Sequence, residues 1–151
     1  MALGTNILTI MAAAGLAVAG LSGHATSPAM AAEKTINGAS CFPIGHPGHK
    51  PFQALADDIN KRGKGVIQIK MVGGAPAIGS PFTLTQKMAR GAYDIVGCTE
   101  AYFGNVIPEA PVLRFSEHTY SGLRKNGGFK YVADLLDKNN IHYVGRYWAF
   151  G

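Results

Sequence analysis

A chain of 151 residues, 47% hydrophobic and 15% charged, has the apolar material for one cored domain, too little length for two, and too much hydrophobicity for a disordered segment. Its formal charge of +5 favours anionic partners. The basic residues are scattered apart from Lys61-Arg62-Lys64 and Arg124-Lys125, and no aromatics are interleaved with them, which excludes a nucleic-acid surface.

The first element is a leader. Ile7 to Leu21 is a run of apolar and small residues, followed by His24, Ser27, Pro28 and the small-x-small sequence Ala29-Met30-Ala31. The run is shorter than the roughly 20 residues a spanning helix needs, so residues 1–31 read as a secretory signal peptide, cut near Ala31. No Lys or Arg lies in Met1 to Asn6, which leaves an uncleaved anchor as the alternative. The leader carries no charged side chain, so the whole net charge belongs to residues 32–151.

Thr35 to Cys41 follows as a small-residue strand, turned by Phe42-Pro43-Ile44-Gly45. Pro47 suits the first position of a helix in which Phe52, Leu55, Ala56 and Ile59 fall at i, i+3, i+4 and i+7, ending at Gly63 or Gly65. Val66 to Met71 is a β-branched strand stopped by Gly73-Gly74. Leu84 and Met88 mark a second helix capped by Gly91, and Tyr93 to Cys98 reads as a short interior strand. Beyond Pro108 comes a connector, then a helix capped by Ser116 and interrupted at Gly127-Gly128. Helical spacing resumes at Phe129, Val132, Ala133 and Leu136, and Ile141 to Trp148 reads as a fourth strand.

The order β-α-β-α-β implies right-handed crossovers and a mainly parallel α/β sheet with helices on both faces. The first strand lies between the second and third, and the fourth borders the third, giving the order 2-1-3-4. In such sheets ligands sit outside the carboxyl ends of strands. The abruptly polar exit of the third strand, Thr99, Glu100 and Tyr102, therefore presents a hydroxyl, a carboxylate and a phenol where substrate contacts belong.

His-Pro near the first helix, Gly73-Gly74-Ala75-Pro76-Ala77-Ile78-Gly79, Arg90-Gly91-Ala92-Tyr93-Asp94 and Tyr102 to Ala110 together carry a resemblance. From Thr35 to Gly151 the sequence resembles the solute-binding proteins of tripartite ATP-independent periplasmic (TRAP) transporters. The resemblance implies a lobe of the type II periplasmic-binding-protein kind, spanning residues 32–151. It also implies a receptor function in the periplasm: capture of a small organic anion, often a carboxylate, and delivery to TRAP membrane permease subunits, with no catalysis and no cofactor. Family members have two lobes and are roughly twice this length. On that comparison the second lobe is absent, and the arginines that pair with the anion lie beyond Gly151.

Several residues take roles from this resemblance. Cys41 and Phe42 end the first strand, where the family places ligand contacts, and Thr99 to Tyr102 form the other contact segment. Thr99 and Tyr102 suit either a pocket or a turn, because hydroxyls at strand ends also satisfy local backbone. Glu100 would repel an anion, so it binds a substrate hydroxyl or amine, or pairs with a base from the second lobe. His46 contacts ligand or caps the helix whose positive end favours an anion. His46 and His49 could also meet a metal, but a site needs a third ligand and none stands nearby. Tyr147 and Trp148 either floor the ligand site or pack in the core.

Cys41 and Cys98 end strands that are neighbours in this order, close enough for a disulfide and equally suited to two buried thiols. The competing reading is a small exported enzyme or redox protein using Cys41, Cys98, His46 and His49. Neither Cys-x-x-Cys nor a nucleophile elbow supports it.

Overall fold

The computed structural model describes residues 32–147; residues 1–31, where a signal peptide is expected, and Trp148 to Gly151 lie outside it. Three strands, β1 (Lys34–Ser40), β2 (Ile67–Gly74) and β3 (Ile95–Gly97), form an all-parallel sheet in the order β2-β1-β3. The helices are α1 (Lys50–Arg62), α2 (Pro81–Ala89), α3 (Tyr120–Lys125) and α4 (Gly128–Asp137), with short 3₁₀ segments at Glu100–Tyr102 and Ala110–Phe115. The class is α/β and the three-strand order follows the expectation.

The β1–β2 and β2–β3 crossovers run in opposite directions across the sheet, so a common right-handed sense puts α1 and α2 on opposite faces. Side-chain alternation along β3 shows it. Val96 packs into the cluster of Cys41, Ala75 and Leu84 on the α2 side. Its neighbour Gly97 faces α1, where a Cβ would collide with the Phe52 ring. Only glycine lets that fully buried ring lie against the strand.

The β1–β2 seam runs from Lys34↔Ile67 to Ser40↔Gly74 with a register shift between Gly38 and Ala39. β2 thus continues through the glycine pair that the sequence suggested would stop it. Gly74 suits this seam because a side chain there would strike the Phe42 carbonyl. The α2 terminus is as expected: Gly91 takes a left-handed φ of +82°, its N–H donates to the Met88 carbonyl, and that of Ala92 donates to Lys87, the paired bonds of a Schellman cap.

Other boundaries move. α1 begins at Lys50 with Pro51 in its first turn, because Pro47 is used in the preceding turn, where His49 and Lys50 donate to the His46 carbonyl. α3 begins after Thr119, whose Oγ1 accepts from Gly122 at 3.1 Å. Ser116 instead closes a local turn by accepting from the His118 N–H. β3 is three residues rather than six, since Asp94 is drawn to the middle of β1, its N–H donating to the Asn37 carbonyl and its Oδ2 accepting from the Asn37 N–H.

The expected fourth strand does not appear among the described residues. The chain from Ile141 to Tyr147 runs without ladder pairing. Its start is fixed by apolar packing, with Ile141 buried against Phe103, Ile107, Val132 and Leu136, and its end by polar contacts described below. Those contacts compete with a β3 ladder for the same backbone.

Candidate functional site

Ser40 and Gly97 are register partners, so the loops leaving β1 and β3 start side by side. Cys41 and Cys98, the next residues, are joined by a disulfide across a Cα separation of 4.9 Å. The bridge links two loops 57 residues apart in sequence and holds together the carboxyl ends where a ligand would sit. Cys41 is buried and Cys98 faces the cleft, and with both sulfurs bonded neither is a free nucleophile.

From this clamp the β1 loop presents an aromatic row. His46 stacks parallel to Phe42 with centroids 5.3 Å apart, Tyr102 meets Phe42 edge-on at 5.8 Å, and Phe82, half exposed at the start of α2, meets Tyr102 at 5.0 Å and 90°. Three of the sequence-predicted contacts, Phe42, His46 and Tyr102, thus form one surface. His46 Nδ1 accepts from the Gly48 N–H at 3.0 Å, which orients the ring. His49 is apart from this surface in burial, 2% exposed with Nδ1 unpartnered among the described residues. No group of three His, Cys, Asp or Glu side chains converges among the described residues.

Thr99 and Glu100 sit on the other side of the clamp. Thr99 Oγ1 donates to Glu100 Oε2 at 3.3 Å, and Glu100 Oε1 accepts from Arg146 Nε at 3.0 Å and lies 2.7 Å from its Nη2. Both side chains are largely withdrawn from solvent, Glu100 to 16% and Arg146 to 28% exposure, so this charge-assisted pair is worth more than a surface one. Glu100 thus finds a basic partner within this chain. Sequence reasoning missed Arg146 because a contact across 46 residues leaves no local pattern.

Around Arg146 a second polar group assembles. The Tyr120 hydroxyl accepts from the Arg146 backbone N–H and from Arg124 Nη2, each at 3.2 Å. The Arg124 guanidinium lies 4.1 Å from the Phe129 ring centroid and 5.1 Å from that of Tyr120, in cation–π range of both. Burial pushes the Tyr143 phenol up to about 12, with Tyr120 and Glu100 acting in the same direction and Arg146 opposing them. Burial, helped by Glu100, does the same to Tyr147. Both phenols remain neutral donors throughout the physiological range.

These groups line a cleft of about 650 Å³ that runs along the outer edge of β3, beneath the 141–147 segment. Its walls include Phe52 and Leu55 from α1 and Met88 from α2. Thr99, Glu100 and Phe42 open onto it, whereas Trp148 lies outside the described residues. No helix among the described residues is long and apolar enough to cross a membrane. No protein-family model matches the chain.

Proposed function

We propose that the chain is the amino-terminal lobe of an exported, periplasmic solute-binding receptor of the TRAP type, which captures a small organic anion for a membrane permease. In this reading the lobe has the type II topology, and residues 141–148 complete the sheet beside β3 when the second lobe is in place. The observation that carries it is the convergence of the post-β1 and post-β3 loops at one disulfide-clamped sheet end, with an aromatic row on one side and a guanidinium on the other. Aromatic faces and a forked donor suit a compact organic acid better than a polar sugar. The signatures quoted from the sequence favour this family, and a disulfide-clamped sheet end with aromatic and cationic walls is compatible with an anion receptor.

A lobe alone offers one wall of the site and no closure, so its binding is expected to be weak, with a dissociation constant on the order of millimolar. Calorimetry of the chain against carboxylates, amines and neutral sugars tests this. Carboxylate-selective, weak binding is the expected outcome. Selectivity for amines or sugars contradicts the assignment, and micromolar carboxylate binding contradicts the division of recognition between two lobes.

A further inference from the structure

The sequence contains two Asn-Gly pairs, Asn37-Gly38 and Asn126-Gly127, and the fold gives them opposite surroundings. In such a pair the asparagine amide carbon can be attacked by the next main-chain nitrogen, and glycine has no side chain to obstruct the approach. Both asparagines are exposed, so water reaches each of them. What differs is the freedom of the backbone.

Asn37-Gly38 lies in the middle of β1, the central strand. Asp94 holds both main-chain groups of Asn37, its Oδ2 accepting from the Asn37 N–H at 2.7 Å and its N–H donating to the Asn37 carbonyl at 3.0 Å. Gly38 is buried and is the register partner of Met71 in β2 and of Ile95 in β3. A ring can close there only when the sheet opens.

Asn126-Gly127 forms the turn between α3 and α4, and Gly127 is exposed as well. The Gly127 N–H has no acceptor among the described residues. Its φ of +88° is one that glycine adopts freely. Asn126 Oδ1 accepts from the Gly128 N–H at 3.0 Å, which curls the side chain along the Gly127 peptide and polarises the amide carbonyl. Arg124 and Lys125, in the last turn of α3, favour negative charge on the attacking nitrogen.

We propose that Asn126 is a site of spontaneous covalent modification, deamidating through a succinimide while Asn37 is spared. The Gly127 nitrogen bonds to Asn126 Cγ as the Cγ–Nδ2 bond breaks, and the proton from that nitrogen leaves with the amide group as ammonia. Water then opens the ring at either carbonyl to give aspartate or isoaspartate, so no oxidant or reductant is needed. Aspartate keeps the acceptor for Gly128 and puts a negative charge beside the start of α4, whose first turn carries no acid. Isoaspartate routes the main chain through the side-chain carbon and lengthens the turn. That turn sets the Arg124 guanidinium 4.1 Å from the Phe129 ring centroid and Tyr120 edge-on to the same ring, and Tyr120 accepts from the Arg146 N–H. Isoaspartate therefore loosens an anchor of the 141–147 segment, and aspartate does not.

The test is prolonged incubation of the full chain at mildly alkaline pH, followed by peptide mass spectrometry that separates aspartate from isoaspartate. In the folded chain the Asn126 peptide is expected to convert at least about tenfold faster than the Asn37 peptide, because Asn37 reacts only through opening of the sheet. In urea both pairs are released, and the two rates are expected to agree within about threefold. Equal rates in the folded chain, faster conversion at Asn37, or no conversion at Asn126 overturns the proposal. A tenfold difference that persists in urea also overturns it, since the fold would then not be its cause. Hydrogen exchange reads the consequence: the aged chain is expected to exchange faster at residues 120–130 and 141–147 in proportion to its isoaspartate content, and Asn126→Asp to exchange as the fresh chain does. Equal loosening in Asn126→Asp contradicts the role given to the lengthened backbone.

Discussion

At the β2 edge of the sheet, the Asn60 side chain takes the place of a missing strand: its Nδ2 donates to the Ile69 carbonyl at 3.0 Å and its Oδ1 accepts from the Ile69 N–H at 2.6 Å. Gln68 adds a bond to the Asn60 carbonyl at 3.1 Å, so α1 and the strand edge are stitched together by backbone-satisfying amides. At the β3 edge nothing equivalent is found among the described residues. The neighbouring segment is held by side chains instead of a ladder, through the burial of Ile141, the stacking of Tyr143 on Phe129 and the Arg146–Glu100 and Arg146–Tyr120 contacts. The two edges are thus secured differently, one by amides that satisfy the strand backbone and one by side-chain contacts of a neighbouring segment, and the Glu100–Arg146 pair lies at the second.

The largest effect should come from the clamp that joins the two regions. Replacing both cysteines, Cys41→Ser with Cys98→Ser, releases a loop of 57 residues and is expected to cost about 2–4 kcal/mol in chemical denaturation. If the β3 edge is the less secured one, the loss should appear in hydrogen exchange first at β3 and the loop after it, with β2 holding longest. Equal loss at both edges would mean that they are one cooperative unit and that the contrast drawn between them is superficial.

Next in size is the sealed edge itself. Asn60→Ala strips two partners from the Ile69 backbone and is expected to cost about 1–3 kcal/mol while leaving carboxylate binding unaltered. A change in ligand affinity on this substitution would show that the two edges communicate.

The smallest effect concerns the phenols of the β3 edge. Tyr143 and Tyr147 are raised from 10 to about 12 in the folded chain, whereas the unfolded chain ionises its phenols near the ordinary value of about 10. Between those values the folded state holds more protons than the unfolded one, so their contribution is intact below pH 10 and is lost as pH rises through about 12. The melting temperature should fall over that window, and less steeply in a Tyr143→Phe/Tyr147→Phe variant. A phenolate absorbance titration in which all six tyrosines ionise together near pH 10 would contradict the burial of these two.

Much of the sealed side was legible in the sequence because its signals are local. Phe52 and Ala56 fall on one helical face, β-branched residues mark β2, Gly91 announces a cap, and handedness then orders the strands. The boundary errors arose where two residues could serve the same purpose: Thr119 against Ser116 as a cap, Pro51 against Pro47 in the first turn. The β3 side was legible only in part. Phe42, His46 and Tyr102 could be placed at strand ends because strand ends are local, but the pairing of Glu100 with Arg146 and of Tyr120 with Arg124 and Arg146 depends on where α3 and the 141–147 segment come to rest. The apolar pattern of Ile141 to Trp148 reads as strand by composition, yet its described residues answer to side-chain partners instead of to a ladder.

The most direct test of the account is hydrogen exchange of the full chain with and without a large excess of hexanoate. Protection is expected in the segments covering β3 through Tyr102 and residues 141–147, with no change from Asn60 to Lys70. Protection centred on the Asn60 edge, or none anywhere under conditions where calorimetry registers binding, would contradict the assignment of the ligand to the disulfide-clamped end of the sheet.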